Sequence, residues 1–242
     1  MSESPQHIVK SFTQELDQLR NLLTNMGGLV ESQLALATKA IVEQDPDIAS
    51  RAVQLDPQVD TLERQIEQTV IRMLALRQPM ANDLRLIVAG LKISAQLERI
   101  GDYAKNVAKR SIVLDQFTLP FPLTGLATMA RLGQENLRLV IDAIGEGDAS
   151  KAQQVWNSDE AIDDLYNSIF RELITYMMED PRNITPCAHL LFIAKNIERI
   201  GDHATNIAET VYYAVTGETL GEERPKGTDS AAYTALRPRE RG

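Results

Sequence analysis

Acidic residues recur at a step of four in this sequence: Asp56 and Asp60, Glu98 and Asp102, Asp159 and Asp163, Glu198 and Asp202. On a helix that step stacks both carboxylates on one face, about 6 Å apart. Each pair can therefore grip one side of a cation. Four such groups at one level repel, by about 3–4 kcal/mol per pair at an effective dielectric near 20. A bound cation, a proton, or neighbouring Arg and Lys must compensate. Oxygen-only ligand sets suit Mg²⁺, Ca²⁺ or Mn²⁺, and carboxylates also hold iron or zinc. Asn106 and Asn206 lie one turn further along the same row and could add an amide oxygen. Arg99 and Arg199 fall within i,i+3 reach of Asp102 and Asp202. They read either as ion pairs or as phosphate or partner contacts.

Helices must position these acids. Apolar residues from Phe12 to Ile41 recur at helical spacing, with Gly27-Gly28 allowing a bend or a close crossing. Asp45-Pro46 reads as a stop and a new N-cap. A second helix runs to about Arg77, and Gln78-Pro79 breaks it. A third runs from about Asn82 to Leu114, with Leu86, Ile93, Ile100 and Val107 forming a bundle seam. If the second helix folds back on the third, residues equidistant from the turn share a height. Asp60 with Glu98, and Asp56 with Asp102, both centre on Pro79. Asp163 with Glu198, and Asp159 with Asp202, centre between Asp180 and Pro181. Four carboxylates then meet at one level in each half. At 100° per residue Glu98 and Asp102 lie roughly 130–170° from the Leu97, Ile100, Ala104 seam, which predicts a surface groove. Asp56, just before Pro57, has an alternative reading as the N-cap of a restarted helix.

The pattern then repeats. Residues 40–45 read AIVEQD and 143–148 read AIGEGD. LERIGDYAKNVA at 97–108 returns as IERIGDHATNIA at 197–208, with eight identities in twelve. The predicted fold is all-α: two tandem three-helix bundles related by internal duplication. Residues 1–117 form the first, 118–124 a proline-marked linker, 125–216 the second, and 217–242 a flexible tail. Gly101 and Gly201 each cost about 1 kcal/mol inside a helix and point to close helix approach or access to the acids. His203 reads as a surface histidine, and Trp156, opposite Val53 in the repeat, as packing.

Composition bounds the function. A net charge of −9 argues against nucleic acid as a partner. One cysteine, Cys187, excludes an intrachain disulfide and a Cys-rich zinc site. Neither a leader-like apolar run nor a membrane span is evident, so a cytoplasmic location is expected.

The duplicated E-R-I-G-D-x-x-x-N, with D-x-x-x-D-x-L in the preceding helix of the first half, resembles the PhoU family of bacterial phosphate-uptake and phosphate-signalling regulators over about residues 5–216. The resemblance implies paired three-helix bundles. It also implies E(D)-x-x-x-D metal sites, here Asp56, Asp60, Glu98, Asp102, Asp159, Asp163, Glu198 and Asp202, able to hold iron or zinc clusters. The implied role couples a phosphate ABC transporter, through its ATPase subunit, to a membrane sensor histidine kinase, and keeps the phosphate-starvation response off when phosphate is plentiful. Homodimers are common, and association with the inner membrane is peripheral, through those partners. Ile162-Asp163-Asp164-Leu165 departs from the pattern by one extra acid.

Three functions compete: a non-enzymatic metal-binding adaptor, a carboxylate-bridged di-metal enzyme, and a metal-free helical scaffold. The di-metal class needs inward-facing Glu-x-x-His pairs, and the sequence contains none. The adaptor reading is favoured.

Overall fold

The computed structural model describes residues 5–119 and 122–221, with side chains from residue 12. All regular structure among them is helical: α1 (Pro5–Glu43), α2 (Pro46–Arg77), α3 (Ala81–Leu114), α4 (Thr124–Glu146), α5 (Ala149–Asn157), α6 (Asp159–Glu179) and α7 (Ile184–Thr216), with a 3-10 turn at Pro181–Asn183. The all-α duplicated fold is as expected. Of the expected tail, residues from 222 onward lie outside the described residues.

The turns form where the capping chemistry is. The Asp45 carboxylate accepts the amides of Asp47 and Ile48, and Pro46 opens α2 where no N–H is needed. Asp148 repeats this at the head of α5, accepting from Ser150 and Lys151. At the first hairpin Gln78 takes a left-handed conformation, φ 46°, and the chain reverses at Pro79. A bidentate pair closes α1 against the end of α2: Arg77 Nε and Nη2 donate to Glu15 at 2.9 and 2.8 Å. It holds the Glu15 carboxyl below the usual range.

Two expectations change. Helix α2 continues through Pro57, so Asp56 is no cap. Its counterpart is instead divided, with α5 ending at Asn157 and α6 starting at Asp159. Ser158 donates its hydroxyl to the Val155 carbonyl at the break. The second unit therefore reaches three-helix form only with its middle helix in two pieces.

The two units share one continuous interior. Leu19, Met26, Ile93 and Ile100 of the first pack in one cluster with Leu137, Val140, Ile200 and Ile207 of the second. At the other end Ala37, Ala49 and Val107 join Met129, Ile162, Leu190 and Ile197. Helix α3 runs antiparallel to α7 along this seam. Tyr103 faces His203 at 5.4 Å between ring centroids, while Gln96 meets Asn206 and Arg110 meets His189.

The glycines sit at the crossings. A Cβ on Gly27 would come within 2.8 Å of Ile141 on α4. One on Gly101 would meet Gln33 and Val59 at 3.2 and 3.3 Å, and one on Gly201 would meet Ile162 at 3.0 Å. Val59 and Ile162 occupy equivalent places in the repeat, so close packing of the second helix on the third explains both Gly101 and Gly201. Of the Gly27-Gly28 pair, Gly27 marks a close crossing, and the helix runs unbroken through both.

Candidate functional site

In the first unit α2 lies against α3, and Asp56 and Asp102 come to one level, as the distance from Pro79 requires. A cation already sits between them, supplied by the chain. Lys105 Nζ lies 2.7 Å from Asp56 Oδ2 and 2.6 Å from Asp102 Oδ1. Burial alone would lower the pKa of this ammonium. Its hydrogen bonds to Asp102 and Asp56 outweigh that and hold it above the ordinary lysine range.

Glu98 lies one turn before Asp102 and answers the repulsion differently. Its pKa is pushed up to about 7, first by burial and then by the charges of Asp102 and Glu63. Its hydrogen bond with Asp102 favours the protonated form. Arg99 works against this shift, with its Nε 3.8 Å from Glu98 Oε2. Arg99 thus pairs with its neighbour Glu98. Glu63 is also raised, by burial and then by Asp60 and Glu67. The acid on α2 that acts most on Glu98 is therefore Glu63, and Asp60 acts on Glu63. Sequence reasoning missed Glu63. The available signal was its place seven residues after Asp56, on the same helical row.

The second unit keeps the carboxylates and changes their company. Thr205 stands where the first unit has Lys105, and Tyr166 where it has Glu63. Asp159 is 3% exposed, far from the surface groove expected. Thr205 Oγ1 lies 3.0 Å from Asp159 Oδ1 and 3.1 Å from the Gly201 carbonyl, so one proton serves both. Glu198 is also covered, its side chain 13% exposed. Lys195 Nζ donates to Glu198 Oε1 at 2.7 Å, and Arg199 Nε stands 4.0 Å from Oε2. Oε2 itself is buried without a hydrogen-bond partner among the described residues. Burial raises the Glu198 pKa, with Asp202 and Asp163 adding to it and the Lys195 hydrogen bond opposing. The acids are more covered than helical angles alone imply, because the second helix of each unit lies over them.

Other candidate residues point elsewhere. Asn106 lines a groove between α3 and α7. Asn206 donates to Gln96 Oε1, as its position on the α3–α7 seam dictates. His203 is half-buried on the same seam, with Nδ1 2.6 Å from Gln96 Oε1, and is not the surface histidine expected. Trp156 donates its indole N–H to Glu209 at 3.2 Å.

Among the described residues no three Asp, Glu, His or Cys side chains converge as a bound metal needs. The donor chemistry nevertheless fits one better in the second unit. Glu198 presents an unsatisfied buried oxygen, and Asp163 and Asp202 are close enough to shift its titration. In the first unit the Lys105 ammonium fills the gap between Asp56 and Asp102, and the other acids that act on one another there are Glu98, Glu63 and Asp60.

The repeat is a known one. The PhoU domain model matches residues 23–111 and again 126–211, one copy for each unit. The chain belongs to the PhoU family. It is 50% identical over 222 residues to the phosphate-specific transport system accessory protein PhoU homolog of Caulobacter vibrioides, covering 91% of this chain and 96% of that one. The homolog of the same name from Rhizobium meliloti is 49% identical over 221 residues, covering 91% and 93%. The crystal structure of PhoU from Pseudomonas aeruginosa superposes with a TM-score of 0.83 at 40% identity, covering 86% of this chain and all of that one. PhoU from Streptococcus pneumoniae, a phosphate transport system regulatory protein, gives 0.79 at 29% identity, over 87% and 99%. As a PhoU-family chain it carries the duplicated E-R-I-G-D with Arg and Asp in both copies. No helix among the described residues is long and apolar enough to cross a membrane.

Proposed function

We propose that this chain is a non-enzymatic regulator of phosphate uptake: a metal-binding adaptor that couples a phosphate ABC transporter, at its ATPase subunit, to a sensor histidine kinase and holds the phosphate-starvation response off. The observation that carries the transport role is similarity along nearly the full length of relatives named as phosphate-specific transport accessory proteins. The metal role is supported by the unsatisfied Glu198 oxygen beside Asp163 and Asp202. A hard cation there would replace three mutually repelling charges by a cross-link between α6 and α7. The adaptor acts from the cytoplasm and as a homodimer, meeting the membrane only through its partners.

Two measurements separate the parts of this reading. Deleting the gene should make phosphate-starvation genes constitutive in high phosphate, and unchanged repression would defeat the regulatory role. Chelator-free purification followed by elemental analysis should find iron, zinc or another divalent ion, reduced in Asp202→Ala. Equally negligible metal in wild type, Asp102→Ala and Asp202→Ala would remove the metal from the proposal and leave the deletion test standing.

A further inference from the structure

The chain is acidic overall, yet the seam between α3 and α7 opens into a groove of about 500 Å³ whose lining contains four cations and no acid. Lys109 and Arg110 come from α3, and Lys195 and Arg199 from α7. Arg110 is held in place without a carboxylate. Its guanidinium lies 4.1 Å from the Phe192 ring centroid, and its Nη1 donates to His189 Nδ1 at 3.4 Å. Lys109 is exposed and makes no ion pair among the described residues. One acid touches the rim: Glu198, paired with Lys195 at 2.7 Å and 4.0 Å from Arg199.

The duplication supplies an internal comparison. At the other end of the seam the equivalents of Lys109, Arg110, Lys195 and Arg199 are Glu209, Thr210, Ala95 and Arg99. The basic cluster is therefore not a by-product of copying one helix, nor of the seam's geometry. Cations crowded this way repel one another, as the acids do, and a counter-ion relieves them.

We infer that this groove binds a compact phosphoryl-bearing anion, either inorganic phosphate or the phosphate of a nucleotide-sized molecule. Its volume lies in the range of small-ligand sites. Two guanidinium forks and two ammoniums match a multivalent oxyanion. The amides of Asn106 and Asn196 and the Tyr103 ring, also on the lining, offer further contacts for the organic part of a larger ligand. A groove of this volume suits a compact anion better than an extended acidic peptide or a bilayer surface.

The experiment titrates the full, chelator-treated chain with ATP and, separately, with inorganic phosphate, by calorimetry at low ionic strength. Saturable one-to-one binding is expected for at least one of them. Phosphate alone binding would assign the free ion, and ATP alone an organic phosphate. Lys109→Ala/Arg110→Ala should weaken that binding by about tenfold or more. Lys92→Ala/Arg20→Ala, toward the opposite end of α3, should change it less than about twofold, because those charges lie several helical turns from the groove. These substitutions avoid the acid clusters' internal cations, so the result is independent of whether metal binds. No saturation with either probe, or equal loss in both double variants, overturns the inference. So does binding of a poly-glutamate peptide or of phosphatidylglycerol vesicles that depends on Lys109 and Arg110 while both phosphate probes fail.

Discussion

Glu98 is a carboxyl that the fold prefers protonated. Its pKa rises from 4.5 in the unfolded chain to about 7 in the folded one. Between those values the native state holds a proton that the unfolded state has released, so rising pH erodes stability across that window. The loss is complete above about pH 7. Glu98→Gln keeps an N–H donor toward Asp102 and removes the ionisation. In chelator-treated protein the variant should melt about 2–4 °C above wild type at pH 8, equivalent to about 1 kcal/mol for a chain of this size. At pH 4 the two should melt together. A variant that is less stable at pH 8 would show that the ionised carboxylate is tolerated.

At the scale of elements, the adjacent glycines of α1 should respond in opposite senses to the same substitution. Gly27 faces Ile141 at the α1–α4 crossing, where a Cβ would lie 2.8 Å from Cγ1 and 3.2 Å from Cγ2 of a branched side chain. Gly28 has nothing within 4 Å of its Cβ position. Gly27→Ala should destabilise by about 1–3 kcal/mol through overpacking. Gly28→Ala should stabilise by up to about 1 kcal/mol through helix propensity. Urea denaturation of both variants checks this, and a stabilising Gly27→Ala would mean that α4 can move aside. The same scale shows what the sequence revealed and what it hid. Asp45-Pro46 and Gln78-Pro79 announced their turns, because capping and proline geometry are local. From those turns the shared level of Asp56 and Asp102 followed by counting. Lys105 as the ion between them did not, because its reach depends on how closely α2 approaches α3. Glu63 and the burial of Asp159 escaped for the same reason: both depend on helix rotation. The break before Asp159 also went unread, since Trp156-Asn157-Ser158 contains neither proline nor glycine, whereas α2 absorbs Pro57 without stopping.

At the scale of the molecule, the sequence suggested two bundles joined by a linker, and the packing makes one body. Both apolar clusters draw on both units. Unfolding should therefore be a single cooperative event. The chain's one tryptophan, Trp156, lies in the second unit and reports on it alone, whereas far-UV circular dichroism reports on both. Thermal midpoints from emission and dichroism should coincide, and two separated midpoints would show that the units melt independently. Seams between repeats are hard to read from sequence, because an apolar stripe such as Ile93, Leu97, Ile100 and Ala104 looks the same whether it meets its own bundle or a neighbour.

The antiparallel meeting of α3 with α7, Tyr103 opposite His203, gives the connection between Leu114 and Thr124 a restricted job. Fit between the halves is written into the two long helices. The tether contributes proximity, an effective concentration that spares each half the search for its mate. Its length can thus drift widely while the halves still close in the same pose.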